Sequence, residues 1–211
     1  MIMDKEIKAY IFDLDGVLVF TDELHYLAWK KIADKLNIEF DRKINNRLRG
    51  VSRMDSLEII LEKSAKRYSE EQKKALAEEK NEYYRESLET MTPDDVVGKV
   101  REKLTELRNA GCKLAIGSSS KNTKLILNKI GMTDFFDAIS DGTNITKSKP
   151  DPEVFLKAAE MLGIDPQYCA VVEDAESGID AAKAAGMYAI GIGEAANYHK
   201  TDRPISSIME I

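Results

Sequence analysis

Two aspartates stand at the end of an apolar run near the start of the chain, in the sequence YIFDLDGVL (residues 10–18). Side chains two residues apart on an extended strand point to the same side, so the carboxylates of Asp13 and Asp15 can converge while Leu14 faces the core. Burial of a carboxylate is unfavourable unless the group is paired or bound to a metal ion. The pair therefore predicts a Mg²⁺ site or a nucleophile beside a proton donor, and a polar turn at a strand end is the simpler alternative.

Three further polar clusters follow later apolar runs. The segment GSSSKN, which begins at Gly117, places hydroxyls and backbone N–H groups before a predicted helix, where they can hold an anion or simply cap the helix. Lys149 stands at a turn in SKPDPE, where a lysine can neutralise a phosphate or remain solvated. Glu173 and Asp174 end the strand-like run of VVEDAESG, either as metal ligands or as the acidic first turn of a helix.

A parallel sheet would bring these four clusters together. Short apolar runs alternate with helical patterns over residues 7–19 and about 111–193, which predicts βαβ units. Ligands bind at the carboxyl ends of the strands in such sheets, and every cluster follows a predicted strand. Carboxylates, hydroxyls, a lysine and again carboxylates are the groups that phosphoryl transfer at Mg²⁺ requires, which favours this chemistry over four separate structural roles.

The segment between the first two predicted strands has a different character. Residues 22–90 contain no strand pattern but three amphipathic helical patterns, LHYLAWKKIADKL, MDSLEIILEKSAKR and SEEQKKALAEEKNEYYRESL. Pro93 then breaks the last helix in the return segment MTPDD. We therefore predict an α/β core domain of residues 1–20 and 92–211, with an inserted helical cap domain of residues 21–91 that covers one end of the sheet.

Composition narrows the partners and the compartment. The formal net charge is −6 and the isoelectric point about 5.2, which argues against a nucleic acid or an anionic membrane as the main partner. Cys112 and Cys169 stand at the front of strand-like runs, and we interpret them as free thiols in a reducing compartment. We find neither a signal peptide nor the ~20 apolar residues of a membrane span, so we expect a cytoplasmic protein, and we expect a monomer.

The motifs and their order resemble those of the haloacid dehalogenase (HAD) superfamily. The matching segments are DLDGV at Asp13, SSS at Ser118, the lysine–proline pair at Lys149 and ED at Glu173, and the helical insertion resembles that superfamily's α-helical cap. The resemblance implies a HAD-like (Rossmannoid) α/β fold, with a parallel-sheet core and an inserted α-helical cap domain. The cap segment GVSRMDSL further resembles the sugar-phosphate mutases of the superfamily, and the likeness extends to about residue 193.

The resemblance also implies roles for residues of the core. Asp13 would be the nucleophile that carries the phosphoryl group, and Asp15 would be the general acid–base. Mg²⁺ is the implied cofactor, bound by Asp13, by the backbone carbonyl of Asp15 and by Asp174, with Glu173 beside them. The residues implied to hold the transferring phosphate are Ser118, Ser119 through its backbone N–H, and Lys149.

On the cap, the resemblance implies that Arg53 grips the phosphate that is not transferred, for which its planar guanidinium is suited. Thr21 matches a linker position at which cap and core hinge. Without the resemblance, His25 and Trp29 would be interpreted as an apolar helix stripe and Lys80 as a solvated lysine. The full set of implied substrate-binding residues is Thr21, His25, Trp29, Gly50, Val51, Arg53, Ser56, Lys80, Ser118, Ser119, Asn122 and Lys149.

The implied reaction interconverts β-D-glucose 1-phosphate and D-glucose 6-phosphate through an aspartyl-phosphate and a glucose 1,6-bisphosphate, so small sugar phosphates are the expected partners. The main alternative is a sugar-phosphate phosphatase of the same superfamily, which would use the same core residues and transfer the phosphoryl group to water. Val19-Phe20 and Gly98-Lys99 depart from the usual pattern near the linkers. These departures bear on cap closure, and therefore on the choice between sugar and water as acceptor.

Two hypotheses from other classes fit less well. GIGEAA at Gly191 matches the GxGxxA pattern of dinucleotide-binding proteins, but neither a βαβ unit nor a ribose-binding acid follows it. A non-catalytic phospho-acceptor domain would also carry aspartates at strand ends, but it leaves the helical cap without a role.

Overall fold

A parallel β-sheet forms the centre of the protein. The computed structural model describes residues 6–49 and 51–211, and in these residues the sheet has six strands in the order β3-β2-β1-β4-β5-β6, every neighbouring pair parallel. The strands are β1 (Ala9–Phe12), β2 (Lys113–Gly117), β3 (Ala138–Ser140), β4 (Cys169–Glu173), β5 (Tyr188–Gly191) and β6 (Arg203–Pro204). The predicted fold class is confirmed, and the chain order of the strands reverses between β1 and β4, the point at which such sheets bind ligands.

Helices cover both faces of the sheet. Alternate residues of the central strands point to opposite faces, so Phe12 and Ile116 pack in one apolar cluster, whereas Ile11 and Ala115 pack in the other. This two-sided burial explains why the strands read as short continuous apolar runs rather than as alternating patterns. The helices that cover the sheet are α5 (Val100–Asn109) and α6 (Thr123–Lys129) on the Phe12 face, and α7 (Glu153–Leu162) and α8 (Glu176–Ala184) on the Ile11 face.

The insertion after β1 is helical, as predicted. It consists of α1 (Asp22–Lys35), α2 (Arg42–Asn46), α3 (Arg53–Leu61) and α4 (Glu70–Leu88). Trp29, Ile32 and Leu57 belong to an apolar cluster of its own. At the end of α4, however, Tyr84 and Leu88 pack into the cluster of the sheet. The insertion therefore has its own core and is anchored to the sheet at its linker side, and the predicted domain boundaries remain a prediction.

Some elements differ from the sequence prediction. Helix α3 ends at Leu61, although the helical pattern was predicted to continue through Arg67. After Leu61 the segment offers only Ala65 as an apolar side chain, so further turns would bury little. Helix α2 was not predicted, because five residues are too few to show a period. Its start is fixed locally, because the Asp41 carboxylate accepts a 2.8 Å hydrogen bond from the backbone N–H of Ile44.

The last residues and the cysteines follow the predictions more closely. No α-helix was predicted at the end of the chain, and the described residues there form only the short strand β6 and a 3-10 turn at Ile208–Glu210. Cys169 is buried in β4, Cys112 is half-buried, and both are free thiols. Among the described residues, no helix combines the length and the hydropathy needed to cross a membrane.

Packing of α5 on the sheet generates a stability prediction. Leu104 is fully buried in the cluster that covers the Phe12 face, so Leu104→Ala should lower the free energy of unfolding by about 2–5 kcal/mol, because it removes apolar contact and leaves a cavity. Leu156 on α7 is 40% exposed and provides the matched control, for which we expect a loss below about 1 kcal/mol. Urea denaturation of both variants is the measurement, and equal losses would contradict the described packing.

Candidate active site

The four polar clusters meet at the carboxyl ends of β1, β2 and β4. Asp13 continues the strand ladder of β1, since its backbone N–H donates to the carbonyl of Val172 at 2.9 Å. The chain then turns at Gly16, whose φ of +83° is readily adopted only by glycine. A Cβ at Gly16 would lie 2.1 Å from Oδ2 of Asp174. The glycine of the DLDG segment is therefore required both by the turn and by the close approach of the second acidic cluster.

Lys149 lies at the centre of the site. Its Nζ is 2.5 Å from Oδ1 of Asp13 and 2.7 Å from Oε2 of Glu173, and all three side chains are buried. Burial alone would lower the pKa of Lys149, but the two carboxylates outweigh that effect and hold this pKa above its ordinary value. Lys149 is therefore a charged, paired residue rather than a solvated loop lysine.

Glu173 is fixed by hydrogen bonds to both of its carboxylate oxygens. Oε1 accepts from the backbone N–H groups of Asp174 and Ala175, each at 3.1 Å, and Oε2 accepts from Lys149. The carboxylate lies against Gly178 of α8, where an added Cβ would be 2.0 Å from the Glu173 Cδ. Sequence reasoning missed Gly178, although a glycine inside a helical pattern, which costs about 1 kcal/mol relative to alanine, was an available signal.

Three carboxylates form a cluster that could hold a metal ion. Asp13, Glu173 and Asp174 each offer an oxygen, and these oxygens lie within 4.8 Å of one another. Burial raises the pKa of Asp13 to about 8, with the neighbouring carboxylates adding to the shift and Lys149 opposing it. Burial, followed by the charges of Glu173 and Asp13, also raises the pKa of Asp174 to about 8. A bound divalent cation would relieve this repulsion, and carboxylate oxygens suit Mg²⁺.

The Asp15 carboxylate does not belong to this three-carboxylate cluster. The hydroxyl of Thr21, which directly precedes α1, donates a hydrogen bond to Oδ1 of Asp15. Burial raises the pKa of Asp15, and the bond from Thr21 opposes the shift. Thr21 is fully buried and does not line the cavity between the cap and the sheet. It therefore contacts Asp15 and not the space that is open to a substrate.

The serine loop follows β2 and lies beside Lys149. The backbone N–H of Ser118 donates to the carbonyl of Ser140 at 3.1 Å, and the Ser119 hydroxyl accepts from the backbone N–H of Lys149 at 3.4 Å. Asn122 occupies the position before α6 at which asparagine commonly caps a helix, yet its side chain makes no capping bond. Capping, the simpler explanation for this segment, therefore does not account for Asn122.

The cap contributes a buried lysine to the same cavity. Nζ of Lys80 lies 2.8 Å from Nδ1 of His25 and 5.0 Å from the centre of the Trp29 ring, and His25 stacks on Tyr84 with ring centres 3.9 Å apart. Burial, with a further contribution from Arg53, lowers the pKa of Lys80 to about 7. Burial also lowers the pKa of His25 well below its ordinary value, so a neutral imidazole can accept from Lys80. Lys80 is thus buried, not the solvated lysine that its charged surroundings in the sequence favour.

Arg53 and two neighbours on α4 form a second polar group of the cap. Its Nη2 donates to Oδ1 of Asn81 at 2.8 Å, and its Nη1 lies 3.2 Å from Oε2 of Glu78. Oδ1 of Asn81 also accepts from the side chain of Asn122 in the core at 2.9 Å. Sequence reasoning assigned no role to Asn81, because a single polar residue in a charged helix carries no pattern.

Another cap residue also lies near the acidic cluster. Arg49 pairs with Asp22, and its Nη1 lies 3.6 Å from Glu194 and 3.9 Å from Asp174. Arg49 was also not predicted, and its position next to Gly50 in the cap segment was the available signal. Gly50 itself lies outside the described residues.

One cavity of about 530 Å³ joins the two halves of the site. It is bounded by the sheet edge below and the cap helices above. The predicted residues that line it are Asp13, Asp15, His25, Trp29, Val51, Arg53, Ser56, Lys80, Ser118, Ser119, Asn122, Lys149, Glu173 and Asp174. Residues far apart in the sequence therefore form a single site.

Comparison with known proteins agrees with this fold. Residues 7–186 match the haloacid dehalogenase-like hydrolase family, and the chain belongs to that family of enzymes. Within it, the chain is similar to the β-phosphoglucomutase of Bacillus subtilis, with 46% identity over 189 residues that cover 89% of this chain and 84% of that protein. It is also 32% identical to a phosphorylated carbohydrates phosphatase of Thermotoga maritima, over 85% of this chain and 82% of that protein.

A solved structure gives the same picture. The crystal structure of β-phosphoglucomutase from Clostridium difficile superposes with a TM-score of 0.91 at 40% identity, covering 97% of this chain and 93% of that one. The predicted family is therefore confirmed.

The raised pKa of Asp174 generates a prediction about pH and stability. The folded-state pKa of Asp174, about 8, exceeds the ordinary value of 3.8. Between these two pH values the folded protein therefore holds a proton that the unfolded chain has lost. The free energy of unfolding consequently falls as the pH rises from about 4 to about 8. Asp174→Asn removes this titration. Without metal, the free energy of unfolding of the variant should therefore increase relative to the wild type between pH 5 and pH 8.

Urea denaturation in EDTA at both pH values measures the difference in the free energy of unfolding between the variant and the wild type. The titration of groups that both proteins share, such as His25 and Lys80, cancels in this difference. Added MgCl₂ at pH 8 should stabilise the wild type more than Asp174→Asn. A difference between the two proteins that is independent of pH would contradict the assignment.

Proposed function

We propose that this protein is a Mg²⁺-dependent β-phosphoglucomutase, which interconverts β-D-glucose 1-phosphate and D-glucose 6-phosphate. The observation that carries the proposal is the single cavity that has Lys149 and its two carboxylates at one end and Arg53 on the cap wall. A hexose bisphosphate carries two phosphates and needs a cationic group near each. The 46% identity to the Bacillus subtilis β-phosphoglucomutase supports the same conclusion.

The donor set supports Mg²⁺ as the cofactor. Both oxygens of Glu173 already accept hydrogen bonds, so Asp13 and Asp174, with the backbone carbonyl of Asp15, would hold the ion while Glu173 fixes Lys149 and the chain at Asp174. When bound, Mg²⁺ offsets the negative charge of the phosphoryl group that a carboxylate must attack.

Asp13 is the proposed nucleophile, and its neighbours prepare it for that role. Burial raises the pKa of Asp13, and the ion pair with Lys149 opposes this shift in favour of the ionised carboxylate, which is the nucleophilic form. Lys149, the Ser118 hydroxyl and the backbone N–H of Ser119 would hold the oxygens of the transferring phosphoryl group. The product of attack is an aspartyl-phosphate on Asp13.

Asp15 is the proposed general acid–base. It would take the proton from the sugar hydroxyl that attacks phospho-Asp13 and return a proton to the leaving oxygen in the other half-reaction, with glucose 1,6-bisphosphate as the intermediate. Burial raises the pKa of Asp15, which makes its carboxylate a stronger base for the proton of the sugar hydroxyl. Thr21 would orient its carboxylate from behind.

The cap would select the acceptor. Arg53 and Asn122 would hold the distal phosphate, and His25, Trp29 and Lys80 would line the sugar pocket together with Val51 and Ser56. A cap closed over the cavity excludes water, so that a sugar hydroxyl rather than water attacks the aspartyl-phosphate.

We also infer that the domains meet at residues 20/21 and 91/92 and that the protein is a monomer. We further infer a cytoplasmic location, which the two free thiols support.

A sugar-phosphate phosphatase is the second candidate. The phosphatase of Thermotoga maritima is 32% identical over most of both chains, and the same core groups would serve hydrolysis. Phe20, beside the linker, is 68% exposed, so a large apolar side chain faces solvent where the cap must move relative to the core. Hydrolysis becomes the main reaction if this linker prevents closure.

The decisive experiment measures both acceptors at once. The protein is incubated with MgCl₂, a catalytic amount of glucose 1,6-bisphosphate and either anomer of glucose 1-phosphate, and glucose 6-phosphate and free phosphate are followed in parallel. We expect glucose 6-phosphate from the β anomer, with little free phosphate and no turnover in EDTA. Free phosphate without glucose 6-phosphate would sink the mutase proposal and leave the phosphatase.

Arg53 provides a test that separates the two ends of the cavity. Arg53→Ala should lower the kcat/KM of isomerisation by about a hundredfold, since it removes a bidentate charged contact worth roughly 3 kcal/mol, and should leave hydrolysis of p-nitrophenyl phosphate unchanged. The matched control is Arg47→Ala, because Arg47 lies on the cap surface in an exposed pair with Glu62. Equal loss of both activities in Arg53→Ala would count against the distal-phosphate role.

A further inference from the structure

Asn81 lies where the cap meets the core, and both polar atoms of its amide make hydrogen bonds. The oxygen Oδ1 accepts from Nη2 of Arg53 at 2.8 Å and from Nδ2 of Asn122 at 2.9 Å, and its own Nδ2 donates to Glu78 at 3.2 Å. The residue is 8% exposed. A buried and satisfied amide of this kind holds its partners in one arrangement, because loss of any bond would leave a buried donor or acceptor unpaired.

The two donors that converge on Asn81 both stand at the start of a helix, and neither side chain stabilises that helix. Arg53 is the first residue of α3, where the helix dipole disfavours a positive charge. Asn122 directly precedes α6 but makes no capping bond. Neither side chain therefore serves its own helix. Local rules broken in this way, at two facing elements at once, mark a site whose geometry serves function.

A guanidinium and an amide N–H that point at a single oxygen form an arrangement that binds a phosphate oxygen. Oδ1 of Asn81 offers such an oxygen from inside the protein, between a cap residue and a core residue. The two donors are thus already converged in the absence of any ligand. Binding costs less when the binding groups are held in their bound arrangement beforehand.

We propose that Asn81 is a positioning residue for hexose-phosphate binding, which holds Arg53 of the cap and Asn122 of the core converged on the place of the distal phosphate. This inference rests on the proposed function, since it takes Arg53 and Asn122 as the distal-phosphate contacts. Asn81 acts through these two residues and not on the reacting atoms. It therefore sets the affinity for sugar phosphates and leaves the chemistry at Asp13 unchanged.

Glu78 is the competing candidate for the orientation of Arg53. Its carboxylate lies 3.2 Å from Nη1 of Arg53, but its side chain is 64% exposed. An exposed ion pair of this kind contributes little, because water and salt screen it. Glu78→Gln keeps an acceptor of the same shape and removes only the charge, which makes it the matched control for Asn81.

The first measurement is the dissociation constant of glucose 6-phosphate, obtained by calorimetry with MgCl₂. Asn81→Ala should weaken binding by about tenfold, the effect of one hydrogen bond to a charged group, and should raise KM for isomerisation by a similar factor with little change in kcat. Hydrolysis of p-nitrophenyl phosphate, which has no distal phosphate, should be unchanged. Glu78→Gln should remain within about twofold of the wild type in every assay.

A double-mutant cycle tests whether Asn81 acts through Arg53. In the Arg53→Ala background, Asn81→Ala should weaken glucose 6-phosphate binding by at most about twofold more, because only the contact with Asn122 remains to be lost. Asn81→Ser, which retains a small polar group, serves as the second variant if Asn81→Ala unfolds, and thermal melting establishes that each protein is folded.

The outcomes separate this inference from the proposed function. A wild type that isomerises β-D-glucose 1-phosphate while Asn81→Ala and Asn81→Ser bind glucose 6-phosphate normally would overturn the role of Asn81 and leave the mutase intact. Fully additive losses in the double mutant would also overturn it. A wild type that releases only free phosphate would refute the mutase, whereas tenfold weaker binding by Asn81→Ala would still support the positioning role.

Discussion

The buried ion pairs of Lys149 with Asp13 and Glu173 are the constraint on which the rest of the site depends. One ammonium between two carboxylates, away from water, is tolerable only when the charges are paired and further donors hold the carboxylates, because an uncompensated buried charge costs several kcal/mol. The neighbouring features supply those donors and the room for them. Backbone N–H groups after β4 bind Glu173, and Gly178 leaves space for its carboxylate on the side of α8.

The same cluster gives the carboxyl edge of the sheet an excess of negative charge, which the cap partly balances. Arg49 approaches Asp174 from above, and the charge of Lys80 acts on Asp15. Helix α4 carries Lys80 and Asn81 over the cavity and then inserts Tyr84 and Leu88 into the apolar cluster of the sheet. One helix thus belongs to both cores. A change in cap position that preserves this packing has to turn about the Leu88 end of α4 rather than lift the cap away.

The sequence was sufficient for the parts of this arrangement that leave a periodic or clustered signal. Apolar runs followed by DLDG, SSS, KP and ED predicted the sheet and the residues at its edge, and helical patterns predicted the insertion. The contributions of Gly178, Arg49 and Asn81 were not predictable in this way, because each depends on a neighbour 5 to 145 positions away. Helix α2 and the early end of α3 are decided by caps and by the lack of apolar surface, which short segments do not display as a pattern.

The starts of three helices have a common property. Thr21 before α1 and Asn122 before α6 make no capping bond, and Arg53 places a positive charge at the first position of α3, where the helix dipole disfavours it. The side chain of Thr21 contacts Asp15 instead, and those of Asn122 and Arg53 contact Asn81. A capping bond is worth about 1 kcal/mol, and a favourable charge at a helix start somewhat less. Thermostability selection, applied without an activity screen, would therefore favour replacements at these positions. Variants selected only for heat resistance would therefore tend to be well folded but inactive.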